Sequence, residues 1–399
     1  MLKLRSLLIG GFIALLFLNL INSSYSTILT LIKKDLSLSY MMSGALTSFY
    51  FIGYTMGQIP WGFLTDRYGS KRIMSLSLLG TAVASIICGW AKDISQILAL
   101  RFFAGLLGAG LFVPSVKLIS QWYPPNERGA ALGVLNIGGS IGLILASWLP
   151  PYLSISWGWR GVLFILGIIG LLSAGIAYVS LKDRATGFSK SDCDLLKTFR
   201  YSSFWVLAFL QFIRLGAYYT FIAWFPIFLQ EEAGLDLVDA GFVFSLFSIS
   251  GMISNPLGGF FSDRVGEKLV MVLSLSILSG FVSILIGFKI LPLLYIIVFI
   301  IGWFINFVRS PMFTIIPRIY GASAAGKVSG AQNTFASLGA LTLPFMLGYA
   351  KDATGSYSIG WMILSMLLIS GVVFYLLLDR EQSLQKVSFS NYPDDSSLS

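Results

Sequence analysis

Polar residues divide this chain into near-continuous apolar runs, each close to the ~20 residues that a helix needs to cross a bilayer. Leu7–Leu31, Gly129–Leu153, Gly158–Leu181 and Tyr357–Leu378 are examples. Read along the whole chain, the pattern predicts twelve transmembrane helices at about 7–31, 41–65, 73–91, 96–119, 129–153, 158–181, 203–230, 239–262, 269–288, 292–317, 327–350 and 357–378. The expected fold class is therefore an all-α polytopic membrane protein. The N-terminal Met-Leu-Lys-Leu-Arg resembles the charged start of a signal peptide, but the following run is too long and has no small-residue cleavage site. It is read as a retained first helix.

Repetition along the chain gives the architecture. Gly62-Phe63-Leu64-Thr65-Asp66-Arg67-Tyr68-Gly69-Ser70-Lys71 recurs 197 residues later as Gly259-Phe260-Phe261-Ser262-Asp263-Arg264-Val265-Gly266-Glu267-Lys268. The same offset carries Asp35 to Glu232, Leu38 to Leu235 and Gly44 to Gly241. It also carries Gly133, Asn136, Ser140 and Gly142 to Gly330, Asn333, Ser337 and Gly339. Four regions in one register imply two parallel six-helix repeats. The expected division is a first bundle over 1–182, a polar linker over 183–202, a second bundle over 203–380 and a disordered tail over 381–399. The linker is expected to be water-exposed, with room for a short surface helix.

Composition agrees with a bilayer as solvent. Hydrophobic residues make up 56% of the 399 and charged residues 11%, against roughly 25% charged in soluble domains. The net charge of +9 could suggest a nucleic-acid partner, so its distribution decides. Once loops alternate sides, one side receives 18 Lys and Arg, and the other only Lys33, Lys34, Lys92, Arg160, Lys289 and Lys351. Cytoplasmic loops carry the Lys/Arg excess, so both termini are expected in the cytoplasm and no nucleic acid is implied. Cys88 falls in a helix and Cys193 in a polar loop, which excludes a disulfide framework.

After the loops are assigned, Arg101, Arg214 and Arg309 remain inside helices 4, 7 and 10, with Lys117 near an inner helix end. Charge within the membrane is costly and marks function by default. Arg214 lies roughly 17 Å into helix 7 at 1.5 Å per residue, and Arg309 roughly 12 Å from the inner end of helix 10. Arg101 is closer to the outer surface, where it can snorkel or serve the cavity, and Lys117 is expected to snorkel to the inner headgroups. All 18 Asp and Glu fall in loops, at helix ends or in the tail, and there is no His. Arginines inside the membrane with no acid beside them are completed by an anion, which the planar guanidinium grips bidentately. Tyr218, one turn beyond Arg214, is the best-placed aromatic partner. Asn19, Asn22 and Asn306 are further candidates for the substrate site, and each could equally serve interhelical hydrogen bonding, the favoured reading for Gln211.

The paired decapeptides resemble the best-known motif of the major facilitator superfamily, whose two copies lie between helices 2 and 3 and between helices 8 and 9. Arg101-Phe102-Phe103-Ala104-Gly105-Leu106-Leu107-Gly108-Ala109-Gly110 resembles its helix-4 motif. Gln121-Trp122-Tyr123-Pro124-Pro125-Asn126-Glu127-Arg128-Gly129 and Asn136-Ile137-Gly138-Gly139-Ser140-Ile141-Gly142 resemble the organic-anion branches, anion–cation symporters and oxalate/formate-type carriers. The resemblance implies a secondary transporter working by alternating access, with helices 1, 4, 7 and 10 around a central cavity. Two departures stand out: helix 1 offers Asn19, Asn22, Ser23 and Tyr25 where the anion–cation branch has an Arg, and Gly108 stands where it often has a Glu. The Gly-Pro pair of drug antiporters is absent from Gly129–Ala146, so a proton-coupled drug or neutral-metabolite exporter is the second reading.

Asp66, Arg67, Gly69 and Lys71, with Asp263, Arg264, Gly266 and Lys268, are read as a conformational gate at helix ends, against a simpler role in setting topology. The acids would sit near a helix N-terminus, whose dipole favours anions, and the bases would pair with them or with lipid phosphate. With no His and no intramembrane acid, acid–base catalysis has no residues to use, so no enzyme, metal or cofactor is expected. The expected partners are a small anionic solute and membrane lipid, with the chain acting as a monomer. Proton symport needs a titrating group inside the membrane, which leaves exchange, facilitated diffusion, or a proton carried on the substrate. Glu231 and Glu232, at the outer end of helix 7, are the first acids to examine if protons are coupled.

Overall fold

The computed structural model describes residues 2–183, 198–287, 291–320 and 322–389, and every regular element among them is helical. In chain order these are α1 (Leu2–Thr27), α2 (Leu29–Asp35), α3 (Tyr40–Tyr68), α4 (Ser70–Cys88), α5 (Ile94–Trp122) and α6 (Pro125–Ser180). The second half contains α7 (Ser202–Ala233), α8 (Leu237–Val265), α9 (Glu267–Ile284), α10 (Leu291–Phe307), α11 (Arg309–Tyr320), α12 (Ala322–Thr354) and α13 (Ser358–Phe389).

The expected spans map onto these helices with a few interruptions. The first span is α1 and α2, broken at Ile28, and the tenth is α10 and α11, broken at Val308. The fifth and sixth spans run together as α6, which reverses at Gly158, where φ is +62°. Neighbouring Gly10 and Gly11 touch Leu181 and Leu135, so the two arms of α6 return to one level. Glycine suits that turn because an L side chain resists positive φ. Nine segments of the described helices are long and apolar enough to cross a bilayer, and one of them, Ala131–Ser180, is the doubled-back pair. The less apolar α3 and α12, 29 and 33 residues long, complete the twelve.

Those two helices are polar because they meet each other. The seam between the halves is α3 against α12 and α6 against α8. Gly44 of α3 lies against the Pro344 carbonyl, and its repeat mate Gly241 of α8 lies against the Ser147 carbonyl of α6. Inside each half, Gly142 abuts the Leu16 carbonyl of α1, and Gly339 abuts the Phe212 carbonyl of α7. At these glycines the 197-residue repeat marks places where two backbones touch. Small residues at such crossings let membrane helices approach closely.

Helix ends use the loop acids. Asp93 caps α5 by accepting from the Gln96 amide, and Asp236 caps α8 through the Asp239 amide. Both place a negative charge at a helix N-terminus. Cys88 is buried with a free thiol at the end of α4. Helix α13 runs to Phe389, past Leu384, where a disordered tail was expected. The linker over 184–197 with Cys193, and the tail from 390, lie outside the described residues.

Candidate functional site

The middle of α7 carries the principal candidates on successive turns: Gln211, Arg214, Tyr218 and Tyr219. Arg214 is 4% exposed, and its Nε donates to Gln211 Oε1 over a long 3.3 Å. Among the described residues it forms no ion pair, and the Gln211 amide nitrogen has no partner. Arg309 opens α11 just after the break at Val308 and is half-buried. Its charge acts on Arg214, Tyr54, Tyr218 and Tyr219, so these groups share one region. Two guanidiniums that repel each other, with no described carboxylate between them, make an anion-seeking arrangement.

The aromatic wall crosses the seam. Phe51 of α3 meets Tyr219 of α7 at 4.3 Å between ring centroids, Tyr50 stacks on Tyr54 at 6.1 Å, and Tyr218 meets Tyr219 edge-on at 5.2 Å. Tyr50 and Tyr54 escaped the sequence reading, although an i, i+4 tyrosine pair on a seam helix was a usable signal.

Arg101 is placed differently. Its Nε donates to the Leu46 carbonyl at 3.0 Å and its Nη2 to Asn22 Oδ1 at 2.9 Å. Tyr25 and Tyr50 present ring faces at 4.3 and 4.6 Å from the guanidinium. These partners all belong to the first half, so Arg101 ties α1, α3 and α5 together and neither snorkels nor meets Arg214. A small cavity beside it reaches Thr81 and Ser85. Asn22 is its acceptor. Asn19 donates to the Leu15 carbonyl beside Gly139, and Asn306 to the Gly302 carbonyl beside Gly251. Both of these asparagines bond back one turn along their own helix and fill a space left by glycine.

At the end of the bundle that carries the termini, both motif glycines adopt positive φ, +86° at Gly69 and +89° at Gly266. Asp66 pairs with Lys117 at 2.6 Å, and Lys117 also donates to the Thr65 carbonyl. Lys117 was expected to snorkel; an acid within reach holds it instead. The carboxylate at the N-terminus of α4 is Asp183, which accepts from the Lys71 amide and fills the space over Gly69. Lys71 itself lies over the Tyr178 ring at 4.2 Å, and Arg67 and Arg264 pack on Tyr68 and Phe260. In the second half an ion pair lies four residues beyond Asp263. Glu267, 6% exposed, pairs with Arg318 at 2.7 Å and so joins α9 to α11 ahead of Lys268.

At the opposite end the halves are joined. Asp352 of α12 accepts from the Tyr40 and Met41 amides at the N-terminus of α3. Glu231 of α7 accepts from the Tyr40 hydroxyl at 2.9 Å and from Tyr357 at 2.8 Å. Deeper along the same seam, Ser48 donates to the Leu341 carbonyl, and Gln58 bonds to Asn333 and Ser337.

Two six-helix bundles that meet along a polar seam, with buried charge at mid-membrane, define a polytopic membrane transporter and not an enzyme. The chain belongs to the Major Facilitator Superfamily, whose profile matches residues 7–344 and 207–391. It is 27% identical over 390 residues to the "Probable galactarate/D-glucarate transporter GudP" of Bacillus subtilis, covering 87% of this chain and 85% of that one. The "Probable sulfoacetate transporter SauU" of Cupriavidus necator is 23% identical, with 94% of each chain covered. The "Probable nitrate/nitrite antiporter NarK1" of Thermus thermophilus is 27% identical, covering 84% of this chain and 83% of that one. Among solved structures, an inward-facing, occupied bacterial homolog of the human lysosomal transporter Spinster superposes with a TM-score of 0.84 at 18% identity, covering 94% of this chain and 96% of that one.

Proposed function

We propose that this protein is a secondary transporter of small organic anions, of carboxylate or phosphate type, working by alternating access in the cell inner membrane with both termini cytoplasmic. The observation that carries the reading is Arg214, buried at mid-helix with Arg309 near it and no described carboxylate to neutralise either. An anion entering between them replaces two mutually repelling charges by two attractive pairs, with the tyrosine hydroxyls of Tyr54, Tyr218 and Tyr219 as further donors. The names of the relatives support the cargo's charge: glucarate, sulfoacetate and nitrate are all anions. The paired decapeptides are the gate that biases the conformational equilibrium, and the chain acts as a monomer.

Counterflow in proteoliposomes tests this. Purified protein is reconstituted with unlabelled D-glucarate, sulfoacetate, nitrate, inorganic phosphate or a neutral sugar inside, and entry of the labelled partner is followed. At least one anion is expected to exchange, the neutral sugar is not, and Arg214→Ala is expected to remove the exchange. Counterflow of the neutral sugar alone would overturn the anionic reading.

A further inference from the structure

At the end opposite the termini, one carboxylate joins three elements from both halves. Glu231 ends α7 in the second half. Both of its oxygens lie 2.9 Å from the hydroxyl of Tyr40, the first residue of α3 in the first half. The Tyr357 hydroxyl donates to it from the second half at 2.8 Å, and the Lys33 ammonium of α2 lies at 3.8 Å. Lys33 also sits over the Tyr40 ring at 3.6 Å, while Lys351 covers the Tyr357 ring at 4.1 Å. The other charged groups facing this junction are Glu232, which pairs with Lys351 at 3.5 Å, and Asp352, which holds the first two amides of α3. The contacts of Glu231 with Tyr40 and Lys33, and of Asp352 with the first two amides of α3, cross the seam. The halves cannot part at this end while they persist.

We propose that Glu231 is a proton-binding site that unlocks this end of the transporter: the carboxylate holds the halves together, and proton uptake from the medium on that side releases them. The Glu231 side chain is 26% exposed, so a proton from the medium reaches it. Ionised, it accepts from two hydroxyls and attracts Lys33. Protonated, it loses the ion pair and the charge-assisted strength of both hydrogen bonds, which is about twice that of neutral ones. Burial and the neighbouring Glu231 carboxylate raise the Tyr40 and Tyr357 hydroxyls above their ordinary range, so both remain donors throughout and the carboxylate is the group that changes. The sign follows from linkage. The ionised carboxylate makes the contacts that hold the locked state and the protonated one does not, so acidification favours opening. This device speeds the return of an empty or loaded carrier without adding a proton to the transported cargo. It does not depend on which anion is carried.

The test reads opening directly, with no substrate. Ser48, 4% exposed, lies on the seam below the lock, where it donates to the Leu341 carbonyl. Ser48→Cys is placed in a background with Cys88→Ala and Cys193→Ala, and an impermeant thiol reagent is applied to right-side-out and to inverted vesicles. The pH of the reagent side is stepped from 7.5 to 5. Thiolate reactivity falls on acidification, so a faster reaction reports exposure. We expect labelling in right-side-out vesicles to rise several-fold once the rate is normalised to that of the unfolded protein. In Glu231→Gln it should be fast at both pH values, about ten-fold above the parent at pH 7.5, the scale of one hydrogen bond to a charged group. Tyr40→Phe and Tyr357→Phe should raise the rate at pH 7.5 and keep a reduced pH response, which tests the lock even if Glu231→Gln does not fold. An unchanged pH response in Glu231→Gln, or one abolished instead by Asp352→Asn or Glu232→Gln, overturns the assignment. A response confined to inverted vesicles overturns the membrane orientation and leaves the lock standing.

Discussion

A guanidinium that is 4% exposed at mid-helix, with Gln211 as its hydrogen-bond partner, carries a desolvation cost of several kcal/mol. Arg214 should therefore be dispensable for folding and needed for transport, whereas Arg101 should be the reverse. Arg214→Ala is expected to insert normally, keep or raise the Tm, and abolish uptake. Arg214→Lys keeps the charge but not the planar fork, and should recover at most a small part of the rate. Arg101→Ala strands Asn22, the Leu46 carbonyl and two tyrosine faces, and should cost about 1–3 kcal/mol, read as a lower Tm in detergent. Equal thermal losses in both variants would mean that Arg214 is structural. The sequence located all three arginines by depth alone. It could not separate them, because the partners of Arg101 stand 55 and 79 residues away on α3 and α1. The i−4 bonds of Asn19 and Asn306 are local, whereas the sequence reading offered each a substrate contact or an interhelical hydrogen bond.

Between elements, the 197-residue register predicted which positions would match but not what each would touch. Gly142 and Gly339 are backbone crossings, while Gly133 and Gly330, equally well repeated, have open space around them. Gly339→Ala drives a methyl group into the Phe212 carbonyl and should destabilise by about 1–3 kcal/mol, the usual cost of overpacking. Gly330→Ala should leave the Tm unchanged. A thermal shift of equal size in both would remove the distinction. The decapeptides were legible as helix-end devices, yet their partners were not. Lys117 is 51 residues from Asp66 in sequence, and its long stem allows either a headgroup or an acid. The halves also differ, because position 70 is Ser in the first copy while its mate Glu267 carries the lock to Arg318 in the second. Asp66→Asn weakens one lock at a partly exposed site and should slow turnover several-fold with little change in substrate affinity. Pre-steady-state rates and equilibrium binding on the same preparation check this, and a large loss of affinity at unaltered turnover would contradict a gate.

For the whole molecule, the question is what drives a carrier whose membrane core offers no described acid or histidine between its two arginines. The fold class and the two halves were readable from apolar spacing and one repeat, since both are properties of a chain solvated by lipid. The driving force is not written in any such pattern. Arg stays protonated at every relevant pH, so a proton cannot be exchanged at the central site itself. An anion gradient remains, with loaded return paths faster than empty ones, because the unloaded site leaves Arg214 buried beside a half-buried Arg309 with no described carboxylate to pair with either. Vesicles loaded with unlabelled anion should therefore take up labelled anion faster than empty vesicles, by several-fold. An imposed pH gradient at constant substrate protonation should change the rate of approach without changing the final distribution. That outcome separates a proton acting on the distal lock, which alters kinetics, from a proton carried in stoichiometry, which alters the end point. Concentrative uptake that follows the proton gradient, without trans-stimulation, would show that a proton crosses with the anion, and Glu231 and Glu232 would then be the first residues to replace.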